Sequence, residues 1–175
     1  MAIIKRSKIK KPGRITSLEM ELVLYGYFER SAWLIVPNVS HGMGLHECDL
    51  LLVTKSGYAW EIEIKTSRAD LVRDLKKRHM HESEKIKHLY FAVTKKMDNE
   101  KIFRLIPDRA GIIVVYRNGM GALTCSVRRP PKDNGKYKFT IEERAQFARL
   151  GALRIWSLKY KFLKMEKEKL KRGGK

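Results

Sequence analysis

Two strand-like runs, Glu47 to Thr54 and Tyr58 to Lys65, stand on either side of Lys55, Ser56 and Gly57, and from Trp60 onward the second alternates apolar and charged positions. The composition predicts a β-hairpin closed by a three-residue loop that ends in a left-handed glycine. Upstream, Ile15, Leu18, Leu22 and Tyr25 recur at helical spacing behind Thr16 or Ser17, predicting a helix to about Phe28, followed by a strand from Ala32 to Pro37. Downstream, Ser67 is a good N-cap for a helix with Leu71 and Leu75 on one face and Arg73, Lys76 and Lys77 largely off it. Strands follow at His88 to Thr94 and Gly111 to Arg117, the second apolar enough to be covered on both faces. Between them a short helix is expected at Asn99 to Leu105, and Asn118-Gly119 turns the chain into a partner strand from Leu123 to Val127. Arg128 to Lys132 reads as a basic loop, and Thr140 to Lys171 as one long basic helix whose Trp156, Tyr160 and Phe162 are expected in the core.

The hairpin has a consequence that depends on its register. Closing Thr54 on Tyr58 sets Asp49 opposite Glu63, and the period of two then puts Glu61, Glu63 and Lys65 on the face of Asp49, with Ile62 and Ile64 on that of Leu50 and Leu52. A two-residue loop at Ser56 and Gly57 would instead send Asp49 and Glu63 to opposite faces. Leu51 and Val53 share the acidic face, so it is expected to be partly packed.

The 175 residues suit one domain with a real core, divided as a flexible basic arm (1–14), an α/β domain (15–139) and the basic C-terminal helix (140–175). With 38 Lys and Arg against 19 Asp and Glu the formal charge is +19, which calls for a polyanionic partner. DNA is the first expectation, with RNA and a homodimer left open. No apolar run approaches a membrane span and the N-terminal segment lacks a signal-peptide core, so an intracellular protein, cytoplasmic or nucleoid-associated, is expected. Cys48 and Cys125 share no metal-binding spacing and are expected to be reduced. His79 and His81 invite a zinc site, but no cysteine or further histidine nearby in sequence completes a tetrahedral set, so none is expected there.

Facing carboxylates on adjacent strands repel unless a cation lies between them. Mg²⁺ suits such a site, because it takes oxygen ligands and keeps waters that substrate phosphates can replace. Lys65 would add a compact positive charge beside the ion.

Asp49 followed by Glu63-Ile64-Lys65 resembles the PD-(D/E)xK nuclease signature. The wording of IVPNVSHG, HECDLLLVTKSGYAWEIEIKTSRADL and YFAVTK further resembles the DNA-repair-associated MmcB-like branch of that superfamily, over roughly two thirds of the chain from Thr16. Cys48 stands where the family proline would be. The resemblance implies a three-layer restriction-endonuclease-like α/β fold, with a central mixed β-sheet flanked by helices. It also implies a Mg²⁺-dependent nuclease, with Mn²⁺ able to substitute, acting as an endonuclease on DNA in repair, recombination or mobile-element processing. Asp49, Glu63 and the Ile64 carbonyl would hold the metal and Lys65 would assist catalysis. A glutamate on the first helix is also implied. Glu19 is favoured over Glu21 because it lies nearer the Leu18 and Leu22 stripe, although Thr16 and Glu19 also form a capping box that needs no catalytic role. Asn38, Ser40, His41 and Glu61 are expected to line the cleft. Phosphate contacts are expected from Lys5, Arg6, Lys8, Lys10, Lys11, Arg14, Arg68, Lys76, Lys77, Arg128 and Arg129. The rival is a non-catalytic nucleic-acid-binding protein on the same fold.

Overall fold

A computed structural model describes residues 13–39, 44–76 and 81–173, with the backbone alone over 170–173. Lys5, Arg6, Lys8, Lys10, Lys11, Ser40, His41, Lys77 and His79 therefore lie outside the described residues. The chain runs α1 (Ser17–Phe28), β1 (Ala32–Val39), β2 (Cys48–Thr54), β3 (Ala59–Lys65), α2 (Arg68–Asp74), β4 (Ile86–Thr94), a 3-10 turn (Lys95–Met97), α3 (Glu100–Phe103), β5 (Gly111–Arg117), β6 (Leu123–Arg129) and α4 (Ile141–Gly173). The strands form one sheet in the order β1-β2-β3-β4-β5-β6. Pairing is parallel for β3–β4 and β4–β5 and antiparallel elsewhere, so the sheet is mixed. Pro37 sits on the edge strand β1, where a missing N–H costs no central ladder bond.

The hairpin adopts the three-residue loop. The Thr54 N–H donates to the Tyr58 carbonyl at 2.8 Å, and Gly57 takes φ +90°, a conformation a side chain would strain. Leu50 pairs with Ile62 and Leu51 with Glu61, a register that carries Asp49 to Glu63 where the ladder ends. Layering follows from the same alternation. Leu50, Leu52, Ile62 and Ile64 pack under Met20, Leu24 and Phe28 of α1. The opposite face meets Leu71 of α2, Ile102 of α3, Phe147 of α4, and Phe139 just before that helix. A mixed sheet between α1 and the α2–α3–α4 layer is a three-layer α/β fold.

Two expectations are corrected. β6 continues to Arg129, so Arg128 and Arg129 end a strand instead of entering a loop. Arg128 pairs with Asp98 at 3.0 Å, and Arg129 donates to the carbonyls of Ala110, Ile106 and Pro107, so both guanidinium groups help close the fold. Trp156, Tyr160 and Phe162 are 58%, 72% and 62% exposed, not core: α4 reaches the sheet through Phe147 and Leu150, then runs past it. The packed positions end early because the helix is 33 residues long, about 50 Å at 1.5 Å per residue, longer than the strands it crosses.

Candidate active site

At the Asp49 end of the hairpin, β3 turns three charged side chains into the protein: Glu61, Glu63 and Lys65 are only 1%, 2% and 5% exposed. Their burial follows from sequence and topology together. The alternation of β3 points them away from α1, and the central position of the strand places the α2 side of the molecule over them. Charges removed from water must be paired, and here they are. Lys65 Nζ lies 2.6 Å from Glu63 Oε2, 3.1 Å from Asp74 Oδ2 and 3.9 Å from Asp49 Oδ2. The Ile64 N–H donates to Asp49 Oδ2 at 2.7 Å, which locks that carboxylate across the strand end. These groups open into a cleft of about 400 Å³ that includes Ser17, Thr66, Asp70 and Arg73 in its lining.

The electrostatics of the cleft are uneven. Burial, reinforced by the charge of Asp49, pushes the Glu63 carboxyl up to about 7 against the pull of Lys65 and His81. Burial works against the Lys65 ammonium, but Glu63, Asp74 and Asp49 outweigh it and raise its pKa above the usual lysine value. Glu63 Oε1 is buried and has no hydrogen-bond partner among the described residues. An orphaned carboxylate oxygen beside Asp49, on a group that loses its proton only near neutrality, is the environment a hard divalent cation corrects. The oxygen donors therefore fit Mg²⁺ or Mn²⁺.

Three participants were not expected from the sequence. Asp74, at the end of α2, forms an ion pair with Lys65 at 3.1 Å and faces His81 Nε2 at 2.7 Å. His81 turns its other nitrogen, Nδ1, to Glu61 Oε1 at 2.6 Å. His46 Nε2 approaches both Glu61 oxygens, at 2.9 and 2.8 Å. Burial lowers the pKa of His81, but hydrogen bonds to Asp74 and Glu61 prevail and bring it to about 9. Burial likewise raises the pKa of Glu61, and the two histidines overcome this and leave it below the ordinary value. Asp74 sits three positions beyond Leu71, a helical offset that was readable; the spacing of His79 and His81 draws notice to His81, but nothing local points it to Glu61 and Asp74, and nothing local marks His46. Glu61, expected to line the cleft, instead lies beneath it in this buried chain of contacts.

Glu19, preferred over Glu21 on helical spacing, is engaged by Thr16 and Arg117. Glu19 closes the capping box with Thr16, its Oε2 accepting from the Thr16 N–H at 2.8 Å, and its Oε1 is held by Arg117 at 2.7 Å. Glu21 is the acid of α1 that senses the site: burial, then the charge of Asp49, raises its carboxyl, while a hydrogen bond with Asn38 opposes the rise. The two positions are about 200° apart around the helix, so one turned toward Asp49 leaves the other turned away. Asn38 adopts a left-handed φ of 52°, and its carbonyl accepts from Arg154 of α4. Arg14 donates to Thr66 at 3.1 Å, and Arg68 and Lys76 are exposed. Thr66 also borders a second, larger cavity of about 740 Å³ whose lining includes Arg14, Arg68, Lys95 and Lys96 together with apolar Ile15 and Met97.

Comparison with protein families matches residues 15–161 to the DNA repair protein MmcB-like family. The chain belongs to that family. A solved structure of the SPO1766 protein of unknown function from Silicibacter pomeroyi resembles this MmcB-like protein with a TM-score of 0.56 and 18% identity, covering 89% of this chain and 94% of that one. At that identity the likeness establishes the shared fold. Comparison with curated proteins gave no match. No helix among the described residues is long and apolar enough to cross a membrane.

Proposed function

We propose that this MmcB-like protein is a Mg²⁺-dependent nuclease that cleaves DNA phosphodiesters internally, with Mn²⁺ able to replace Mg²⁺. The observation that carries the reading is the convergence of Asp49, Glu63 and Lys65 on one cleft, with a buried Glu63 oxygen left without a hydrogen-bond partner among the described residues. Asp49, Glu63 and the Ile64 carbonyl would hold the ion. When bound, it supplies an acidified water and neutralises charge on the phosphodiester.

The remaining work belongs to the chain itself. Lys65 is fixed by two carboxylates, so its ammonium is already oriented when substrate arrives and can orient a nucleophilic water or offset charge developing on the phosphate oxygens. Asp74 positions Lys65 and is itself held by His81. Glu21, beside Asp49, is the α1 acid able to support the metal ligands. The basic residues lining the neighbouring cavity, which shares Thr66 with the cleft, are suited to a phosphate backbone, and the +19 charge supplies the long-range attraction.

The test is cleavage of labelled single-stranded, duplex, flap and junction DNA with Mg²⁺, Mn²⁺ or EDTA, comparing the wild type with Asp49→Asn and Glu63→Gln. Metal-dependent cleavage lost in both variants is the expected result. DNA binding without cleavage of any substrate would convert the reading to a non-catalytic DNA-binding protein.

A further inference from the structure

Beneath the cleft, His46, Glu61 and His81 come from three separate segments: the approach to β2, the middle of β3, and the stretch after α2. Their ligand atoms all lie within 4.8 Å of one another. We propose that they form a second metal site, distinct in chemistry from the oxygen site at Asp49, for a borderline divalent transition ion of the Zn²⁺ class.

Two imidazoles and a carboxylate are a donor set that Zn²⁺ accepts and Mg²⁺ does not favour. His46 Nε2 faces both oxygens of Glu61, and His81 Nδ1 faces Oε1, so the three donors surround one point. The present separations of 2.6 to 2.9 Å are hydrogen-bond contacts. An ion bonded at about 2.1 Å to tetrahedrally arranged donors would hold them about 3.4 Å apart, so each histidine–carboxylate contact opens by less than about 1 Å. Binding exchanges the protons on His81 Nδ1 and His46 Nε2 for the ion: the His81 proton is released to solvent, and the His46 proton moves to the Nδ1 of its own ring or to solvent.

Two further observations favour an ion over a purely hydrogen-bonded cluster. His81 Nε2 is engaged by Asp74 Oδ2 at 2.7 Å, the carboxylate–histidine arrangement that fixes the ring so that its other nitrogen faces a metal. Glu63 Oε1, buried and without a hydrogen-bond partner among the described residues, lies 3.8 Å from that same Nδ1. The site's effect would be to fasten the segments carrying His46 and His81 onto β3. It would thereby hold Asp74 against Lys65.

The experiment uses the full chain, stripped with EDTA and titrated calorimetrically with ZnCl₂ in the absence of DNA, with Co²⁺ absorption as a second readout. One tight Zn²⁺ site is expected, with the intense visible bands of four-coordinate Co²⁺. Affinity should fall on the order of a hundredfold in His46→Gln, Glu61→Gln and His81→Gln, and about tenfold to a hundredfold in Asp74→Asn. It should persist in Asp49→Ala, which removes only the oxygen site, so this proposal and the nuclease reading fail separately. Circular dichroism of each stripped variant shows whether it is folded before titration. No tight binding or only six-coordinate Co²⁺ in the wild type would overturn the site, as would binding that survives both histidine substitutions or is lost in His79→Ala alone.

Discussion

At the end of β2 and β3 the protein buries charge, while along the outer half of α4 it exposes hydrocarbon. Glu61, Glu63, Lys65, Asp74 and His81 are nearly inaccessible, whereas Leu158, Phe162 and Met165 stand largely in solvent. The two regions invert the usual partition for different physical reasons. Each buried charge is held by an oppositely charged neighbour within hydrogen-bond reach, so the cluster is costly to desolvate yet costly to break. The outer part of α4 has passed the sheet, and its apolar side chains gain little from folding. Position relative to the sheet, more than residue type, therefore decides which side chains carry stability.

Phe147 and Phe162 occupy the same helix and put that conclusion to its strongest test. Phe147 is fully buried against Phe139, so Phe147→Ala should destabilise by about 3–5 kcal/mol, measured by urea unfolding. A loss below about 1 kcal/mol would mean that α4 is not docked on the sheet as described.

In the buried cluster, Lys65→Ala should lower single-turnover cleavage on the order of a hundredfold or more, the usual scale for one preorganised charge. DNA affinity should be largely retained in so basic a protein. Lys65→Arg should restore the rate only in part, since a planar guanidinium cannot occupy the same point between Glu63 and Asp74. Because Lys65 is buried between carboxylates, each variant's melting temperature must be measured beside its rate. An active, folded Lys65→Ala protein would remove the lysine from the chemistry.

A smaller effect is expected from pH. The Glu63 carboxyl lies at about 7 in the folded protein against an ordinary value of 4.5. Between those values the folded state keeps a proton that the unfolded chain has lost, so this group's contribution to ion-free stability falls as pH rises through the window. A metal ion competes with the same proton. Mn²⁺ affinity in calorimetry should therefore strengthen by up to about tenfold per pH unit approaching 7 and level off above it, about 1.4 kcal/mol per unit. Affinity independent of pH between 5.5 and 7 would exclude Glu63 as the titrating ligand.

The smallest change should come from the exposed end of the comparison. Phe162→Ala should alter unfolding free energy by no more than about 0.5 kcal/mol, despite deleting the same side chain as Phe147→Ala. A larger loss in the isolated protein would show that the outer half of α4 is covered.

What was legible in the sequence was local. The Lys55-Ser56-Gly57 loop, the capped starts of α1 and α2, and the alternation along β3 each depend on neighbours a few residues away. Together they were enough to put Asp49, Glu63 and Lys65 on one face. The +19 charge likewise needs no coordinates to point toward a polyanion. Only the tertiary structure decided which acid of α1 turns toward Asp49, because helical spacing leaves the rotation of α1 on the sheet undetermined. It also decided that His46, Glu61, Asp74 and His81 meet, since their contacts reach as far along the chain as His46 to His81, whose rings lie 5.4 Å apart, and form only when α2 crosses over between β3 and β4. The exposure of α4 was hidden for the same reason: an apolar residue signals a wish for burial, but the extent of the sheet determines whether a surface is there to meet it.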